Sequence, residues 1–316
     1  MNKRSNVILK TVVTAVLYLC LAAGMVGAKT ALERKVDSLF IIASSSSIKY
    51  QDLVDPAKDS LAALGADAVP FLIEKFTTKS ARERWAIIHV LQRIGSPAVP
   101  DLLTALKRAD PLVVQRVCWA LGDIKDTTAT GGLLAVCGDS TWQVRDQAVG
   151  ALGKIGDVRA VDAVMEALTD SIGQVRKSAA VSAGKLVIAA SMEKLVHMLG
   201  DEFYGARLSA LNSLLKLDTA AVVQTVADSL ASANSLLGDL GCRLLGQLGT
   251  DRAVDLLRTQ LSSTSPDRRA QAAVALVKAD PYDNCGYLKT FLAQETDRLV
   301  LLKIESARSV VPDEQR

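Results

Sequence analysis

The chain returns to the same kind of residue every 31 positions. Leu121, Leu152, Ala183, Leu214, Leu245, Leu276 and Ala307 form one such series. Ile124, Ile155, Leu186, Leu217 and Leu248 form a second, and Val117, Ala148, Ala179, Ala210, Gly241 and Ala272 a third, of mostly small residues. Two further columns, Val164, Leu195, Val226, Leu257, Leu288 and Leu168, Leu199, Leu230, Leu261, Leu292, keep the same register. Upstream the step shortens to 30, from Leu64 to Ile94 to Ile124. Within each period the apolar positions fall three and four apart, the spacing of one helix face. A helix pair of this length cannot bury its stripe alone and must stack on its neighbours. The period therefore predicts an all-α fold, an α-solenoid of roughly eight two-helix repeats. The units run roughly 50–79, 80–109, 110–139, 140–170, 171–201, 202–232, 233–264 and 265–295, with Asp297 to Val310 as a last, unpaired helix of the first type.

The best-preserved copy is Ser140 to Asp170. Ser140 and Gln143 have capping-box spacing, which predicts a helix start there; Gly156-Asp157 stops the first helix. Its V-R-D-Q-A-V-G-A-L-G-K-I-G-D-V-R-A-V, and the weaker V-R-K-S-A-A-V-S-A-G-K-L of the next copy, resemble HEAT repeats. The resemblance is closest to the short HEAT-like repeats shared with phycobilisome lyases, and it covers about Tyr50 to Val310. It implies architecture strongly and activity weakly, because fold does not fix function. Through the lyases it implies, as an alternative to simple binding, an enzyme acting on a protein substrate. HEAT-repeat hydroxylases of the deoxyhypusine type hold two irons with His-Glu pairs. Here His89 and His197 are followed by Val90 and Met198, so that reading fails.

Residues 1–28 read as a secretory signal. Lys3, Arg4 and Lys10 are its basic start, Thr11 to Ala23 its apolar core, and Val26-Gly27-Ala28 its cleavage site before Lys29. An uncleaved anchor is the alternative, and the only route to a membrane that this reading allows. The formal charge is +3 overall, but outside the first 28 residues 34 basic side chains balance 34 acidic ones. Such balance argues against a general polyanion binder, and so against nucleic acid. Residues 29–49 lack the repeat pattern: a helix from Thr30 to Ala43, with Leu32, Val36, Leu39 and Phe40 on one side, runs into the linker Ser44–Ser47. It reads as the cap that a solenoid needs over its exposed end. The solenoid proper spans 50–310, and 311–316 is a polar tail. Thr127 to Gly132 has lost the Ala-Val pattern and marks a candidate bend. Four cysteines, Cys118, Cys137, Cys242 and Cys285, lie in apolar columns and read as buried small hydrophobes, with Cys118–Cys137 the one bridge worth testing.

Asp139, Asp170 and Asp201 each precede an arginine by six, Arg145, Arg176 and Arg207. They resemble the Asp/Arg ladder of HEAT repeats, which implies that each carboxylate caps a helix start and bonds the next unit's guanidinium; an anion-binding arginine row is the alternative. Second helices of such solenoids line the concave side, which predicts a mildly acidic groove holding Asp162, Glu166, Glu193, His197, Asp228 and Asp255. Trp85 occupies a column that is polar in other copies (Gln115, Asp146, Lys177), His89 follows one turn later, and Trp119 takes the His89 column in the next repeat. These three read either as an aromatic surface patch or as tryptophans packed under the cap. No catalytic constellation is present: no G-x-S-x-G, phosphate loop, H-E-x-x-H or C-x-x-C. No cofactor or metal is expected. The reading is an exported, non-catalytic scaffold that binds a protein, using Trp85, His89, Trp119, Glu166, Glu193, His197 and Asp228.

Overall fold

A computed structural model describes residues 29–230, 234–279 and 285–309. The expected signal and tail lie outside them. All secondary structure within them is helical, and none of these helices is long and apolar enough to cross a membrane. The chain divides into two compact units after Asp101.

The first unit opens with α1 (Ala31–Ala43). The Thr30 hydroxyl accepts from the Glu33 N–H at 3.0 Å, a cap that satisfies one free backbone donor. Val36, Phe40 and Ala43 are buried, and the helix packs on α2 (Val54–Ala62). Asp37 receives hydrogen bonds from Lys29 and Lys75, and these hold its carboxyl below the usual range. A short 3-10 turn and α3 (Val69–Glu74) follow, then α4 (Ala81–Ile94). Phe76, Leu61, Leu72, Ile87, Ile88 and Leu91 form a core without solvent exposure. Helix α5 (Val99–Ala105) spans the junction.

The second unit alternates long first helices with short second ones. They are α6 (Pro111–Ile124), α7 (Thr130–Val136), α8 (Trp142–Ile155), α9 (Val161–Ala167), α10 (Gly173–Leu186), α11 (Met192–His197), α12 (Tyr204–Leu214), α13 (Thr219–Ser229), α14 (Ser235–Leu248), α15 (Asp251–Gln260), α16 (Pro266–Ala279), α17 (Cys285–Gln294) and α18 (Arg298–Ser309). The columns of the 31-residue period are its core: Leu121, Leu152, Leu214, Leu245 and Leu276 are fully buried. First helices pack side by side in two runs, α6–α8–α10–α12 and α14–α16–α18.

Close approach within each run depends on a pair of small residues that the period had not singled out. A Cβ at Gly122 would lie 2.8 Å from Ala151, one at Gly153 2.7 Å from the Ser182 Cα, and one at Gly184 2.9 Å from the Ser213 Cα. The serines use the proximity: Ser182 Oγ donates to the Val149 carbonyl at 2.9 Å, and Ser213 Oγ to that of Ala180 at 2.8 Å. One step on, the same two positions are Leu215 and Leu244. Leu244 is buried, whereas Leu215 lies just past the end of α12 and is partly exposed. Here the 3-10 turn Met198–Gly200, and not α12, packs extensively on α14. Asn234 Nδ2 donates to the Gly200 carbonyl at 3.1 Å. Gly246 and Ala275 then restore the small pair.

Two local expectations are corrected. The capping box does not form: α8 begins at Trp142 behind Thr141, and neither Ser140 nor Thr141 caps it with a side chain. The Asp139 carboxylate takes the Thr141 N–H instead, at 2.7 Å. Thr127 to Gly132 is no local break either. It forms the same 3-10 turn and short helix as Val158–Ala167, because buried Thr130 donates to Asp157 at 2.9 Å in the following copy.

Candidate functional site

The aspartate–arginine rungs are forked pairs, but not between the residues that stand six apart. Arg145 Nε and Nη2 reach both oxygens of Asp170 at 2.8 and 3.0 Å, 25 residues ahead. Arg176 does the same to Asp201, at 2.7 Å twice. To the aspartate six behind, the arginine bonds only the backbone: Arg145 Nη1 donates to the Asp139 carbonyl at 2.8 Å, Arg176 to that of Asp170 at 2.8 Å, and Arg207 to that of Asp201 at 2.6 Å. Each carboxylate also accepts the N–H two residues on, Ile172 for Asp170 and Phe203 for Asp201. Burial opposes ionisation of Asp170 and Asp201. The arginine bonds, the backbone donor and the neighbouring guanidinium charges outweigh it, and both carboxyls sit below their ordinary range.

The offset of 25 explains where rungs are missing. Asp139 has Val114 at the arginine position, and Arg207 has Ser232 at the acid position. Arg207 instead lies over the Tyr204 ring, 5.2 Å from its centre. Gly238 stands where the next arginine belongs, and Arg268 from the following helix fills that space; a Gly238 Cβ would meet its guanidinium at 2.3 to 2.6 Å. Arg268 Nη1 donates to the Leu230 carbonyl at 2.9 Å. A further rung recurs with a longer acid: Arg269 forks onto Glu295 at 2.7 and 3.0 Å. A search for aspartate alone misses it.

The aromatic candidates belong to different units. Trp85 on α4 is half exposed, and His89 one turn later meets it edge to face, 5.5 Å between ring centres. Trp85 is therefore not shut under the cap. Trp119, in the second unit, is half-buried and donates through Nε1 to Asp123 at 2.8 Å. It borders a groove of about 220 Å³ with Gln147, Gly150, Lys154, Ser178 and Lys185. The same groove holds Asp146, buried under a 2.6 Å bond from Ser178 Oγ and a 3.2 Å bond from Gln147. Burial pushes the Asp146 carboxyl above its ordinary range. The same column carries Trp85, Gln115, Lys177, Leu208, Asp239 and Ala270, and Asp239 is a second acid there whose carboxyl burial pushes up.

Glu166, Glu193, His197 and Asp228 are exposed on the second helices, as are Asp162 and Asp255. Asp228 accepts from Gln224 at 2.9 Å and Asp255 pairs with Arg258 at 3.2 Å, both on their own helix. Among the described residues no cluster of three or more His, Cys, Asp or Glu could hold a metal ion. Cys118 and Cys242 are buried free thiols and Cys137 a half-buried one; burial pushes the thiols of Cys137 and Cys242 up to about 12 and that of Cys118 higher still. They are core side chains and not nucleophiles.

Residues 99–185 match the family model described as HEAT repeats. A search of the curated proteins finds no match. Solved structures share the fold at low identity. A Kap95:Nup1 complex aligns over 87% of this chain and 43% of that one, at 17% identity and a TM-score of 0.54. The Escherichia coli protein YibA aligns over 84% and 98%, at 18% and 0.50. The CpcE–CpcF phycocyanin lyase complex from Nostoc aligns over 77% and 94%, at 16% and 0.40. With its period and its stacked helix pairs the chain has an all-α solenoid fold, and its residues 99–185 match HEAT repeats.

Proposed function

We propose that this protein is an exported, non-catalytic scaffold that holds another protein. The observation that carries this reading is the Trp85–His89 pair, an edge-to-face aromatic contact left half in solvent on a regular helix. A tryptophan that could have been buried, held rigid by a neighbouring ring, is the side chain most used as an anchor in protein interfaces. The repeat supports the same reading, because stacked helix pairs display an extended surface. In the Kap95:Nup1 complex a similar fold forms part of a protein–protein assembly. Export rests on the basic start, apolar core and small-residue cleavage site of residues 1–28.

Capture from an envelope extract tests the function, with Trp85→Ala and Trp119→Ala proteins alongside. The expected result is a saturable protein partner, weakened at least tenfold by Trp85→Ala and less by Trp119→Ala, whose indole is engaged with Asp123. Absence of any saturable partner overturns the scaffold. The mass of the chain recovered from cells tests export: a start at Lys29 supports cleavage, and an intact Met1 overturns it.

A further inference from the structure

The groove beside Trp119 recurs in the second unit. Three periods on, a groove of about 310 Å³ is bordered by Arg243, Gln247, Gln271, Val274 and Lys278. Each of these residues stands 93 positions beyond one that borders the first groove: Gly150, Lys154, Ser178, Val181 and Lys185. Both grooves therefore lie between consecutive first helices, at the same height, and each has a lysine at its far edge. That lysine column is nearly unbroken: Lys154, Lys185, Lys216, Gln247, Lys278.

Lysine in a last helical turn complements the helix dipole, which accounts for one lysine per helix. It does not account for their being left uncompensated side by side. Lys154 has Asp123 at 2.7 Å. Lys185 and Lys216 have no acid paired with them among the described residues; partial burial and then Lys154, Lys216 and Lys125 disfavour the charge of Lys185, and Asp123 offsets them only in part. A row of like charges that weaken one another is stabilised by an anionic ligand.

We propose that the Lys154–Lys185–Lys216 row, with the amide-lined groove beneath it, docks an extended acidic peptide segment of a partner protein. This rests on the scaffold reading and names a surface for it. Stacked helices stand about 8–10 Å apart, and a polyproline-II chain brings every third side chain back to one side after about 9 Å. In that conformation a carboxylate at every third residue meets successive lysines. Gln147 keeps its second amide hydrogen and its carbonyl, and Ser178 Oγ, whose proton goes to Asp146, still accepts, which suits peptide amides. Asp146 in the groove and Asp123 paired with Lys154 disfavour a continuous phosphate chain, whose charges are far more closely spaced.

The test uses the full chain and two fluorescein-labelled peptides of equal composition, five repeats of Glu-Gly-Ser and a permutation with its five glutamates contiguous, read by anisotropy. The expected result is saturable binding of the spaced peptide, tighter than the contiguous one. Lys185→Glu/Lys216→Glu should weaken it at least tenfold and Lys185→Arg/Lys216→Arg less than threefold. Lys79→Glu/Lys107→Glu, which changes net charge equally at exposed sites outside the row, should weaken it less than twofold. Circular dichroism confirms that each variant folds. No binding by the parent chain, equal loss in the control variant, or equal or tighter binding of the contiguous peptide or of polyphosphate each overturns the proposal. If a captured partner is retained in Lys185→Glu/Lys216→Glu while the spaced peptide fails to bind, this surface falls and the scaffold stands. If the peptide binds as expected and no partner is captured, the scaffold falls and the surface stands.

Discussion

Two neighbouring interfaces of the second unit are built from the same positions and differ in almost every one. Between α10 and α12 a glycine meets a serine, Gly184 against Ser213, and the helices touch. Arg176 forks onto Asp201 across the same unit. Between α12 and α14 the pair is Leu215 and Leu244, the acid position is Ser232 and the next arginine position is Gly238. The rung is missing here, and it is missing too where packing is close: Val114 stands opposite Asp139 although Gly122 lies on Ala151, and Gly238 replaces the arginine although Gly246 lies on Ala275. What remains are single replacements: Asn234 onto Gly200, Arg268 into the Gly238 space, Arg207 over Tyr204. The comparison teaches that the Arg145 and Arg176 forks lie at closely packed interfaces, and that close packing does not itself require a fork.

The largest effect should come from breaking a rung where packing is tight. Arg176→Ala strands a carboxylate only 8% exposed and removes two bonds to backbone carbonyls. Removing one partner of a buried pair costs about 3–5 kcal/mol, and a fall in the urea midpoint reports it. Arg207→Ala, with no carboxylate partner among the described residues, should cost about 1 kcal/mol. If the two variants melt alike, the rung adds nothing. The same rung sets a pH dependence. Asp170, Asp201 and Glu295 have folded pKa values below their unfolded ones. Their contribution is present above the unfolded values, about pH 4, and is lost as pH falls through the folded values. Arg176→Ala should flatten that acid limb.

Next in size, Gly184→Leu copies the Leu215 interface one step earlier. Overpacking typically costs about 1–3 kcal/mol, and the Ser213 bond to Ala180 goes with it. Hydrogen exchange should then open α10 against α12 as readily as α12 against α14 opens in the parent chain; unchanged exchange would break the packing argument. Arg268→Ala should cost about 2 kcal/mol, the range for a hydrogen bond from a charged donor, if Arg268 truly substitutes for the missing rung. Smallest is a gain. Gly156 and Gly249 end their helices with positive φ, but the matching residue of α10 is Val187, at φ 52°. A branched side chain is strained there, so Val187→Gly should raise stability by about 0.5–1 kcal/mol, seen as a higher Tm.

The period made the fold legible because it is a statement about burial, and Leu152, Leu214 and Leu245 are buried for the reason their spacing implied. The N-terminal helix was legible from Thr30 and its apolar side. The rungs were legible as residue types and not as pairs. Asp and Arg six apart are neighbours in the chain, whereas the fork joins Arg145 to an acid 25 residues away, a distance fixed by the turn between two helices. The Gly-against-Ser contacts were hidden for another reason: Gly153 and Ser182 look like ordinary polar-face residues until the facing helix is present. Trp85 was legible because the next three copies carry Gln115, Asp146 and Lys177 in its column. Trp119 was less so, since its commitment to Asp123 depends on a rotamer.

The register of the fork has a consequence for chain length. Because Arg145 bonds the acid that precedes the next copy, and Gly153 meets a serine in that copy, nothing in one unit identifies which unit follows. Excising 171–201 would place Glu202-Phe203 after Asp170, leave Arg145 with its carboxylate, and set Gly153 against Ser213. Excising 202–232 would set Gly184 against Leu244 and leave a mismatch. The protein can thus grow or shrink in whole 31-residue steps on one side of α12 but not across it, which makes that helix a fixed boundary in an otherwise interchangeable series.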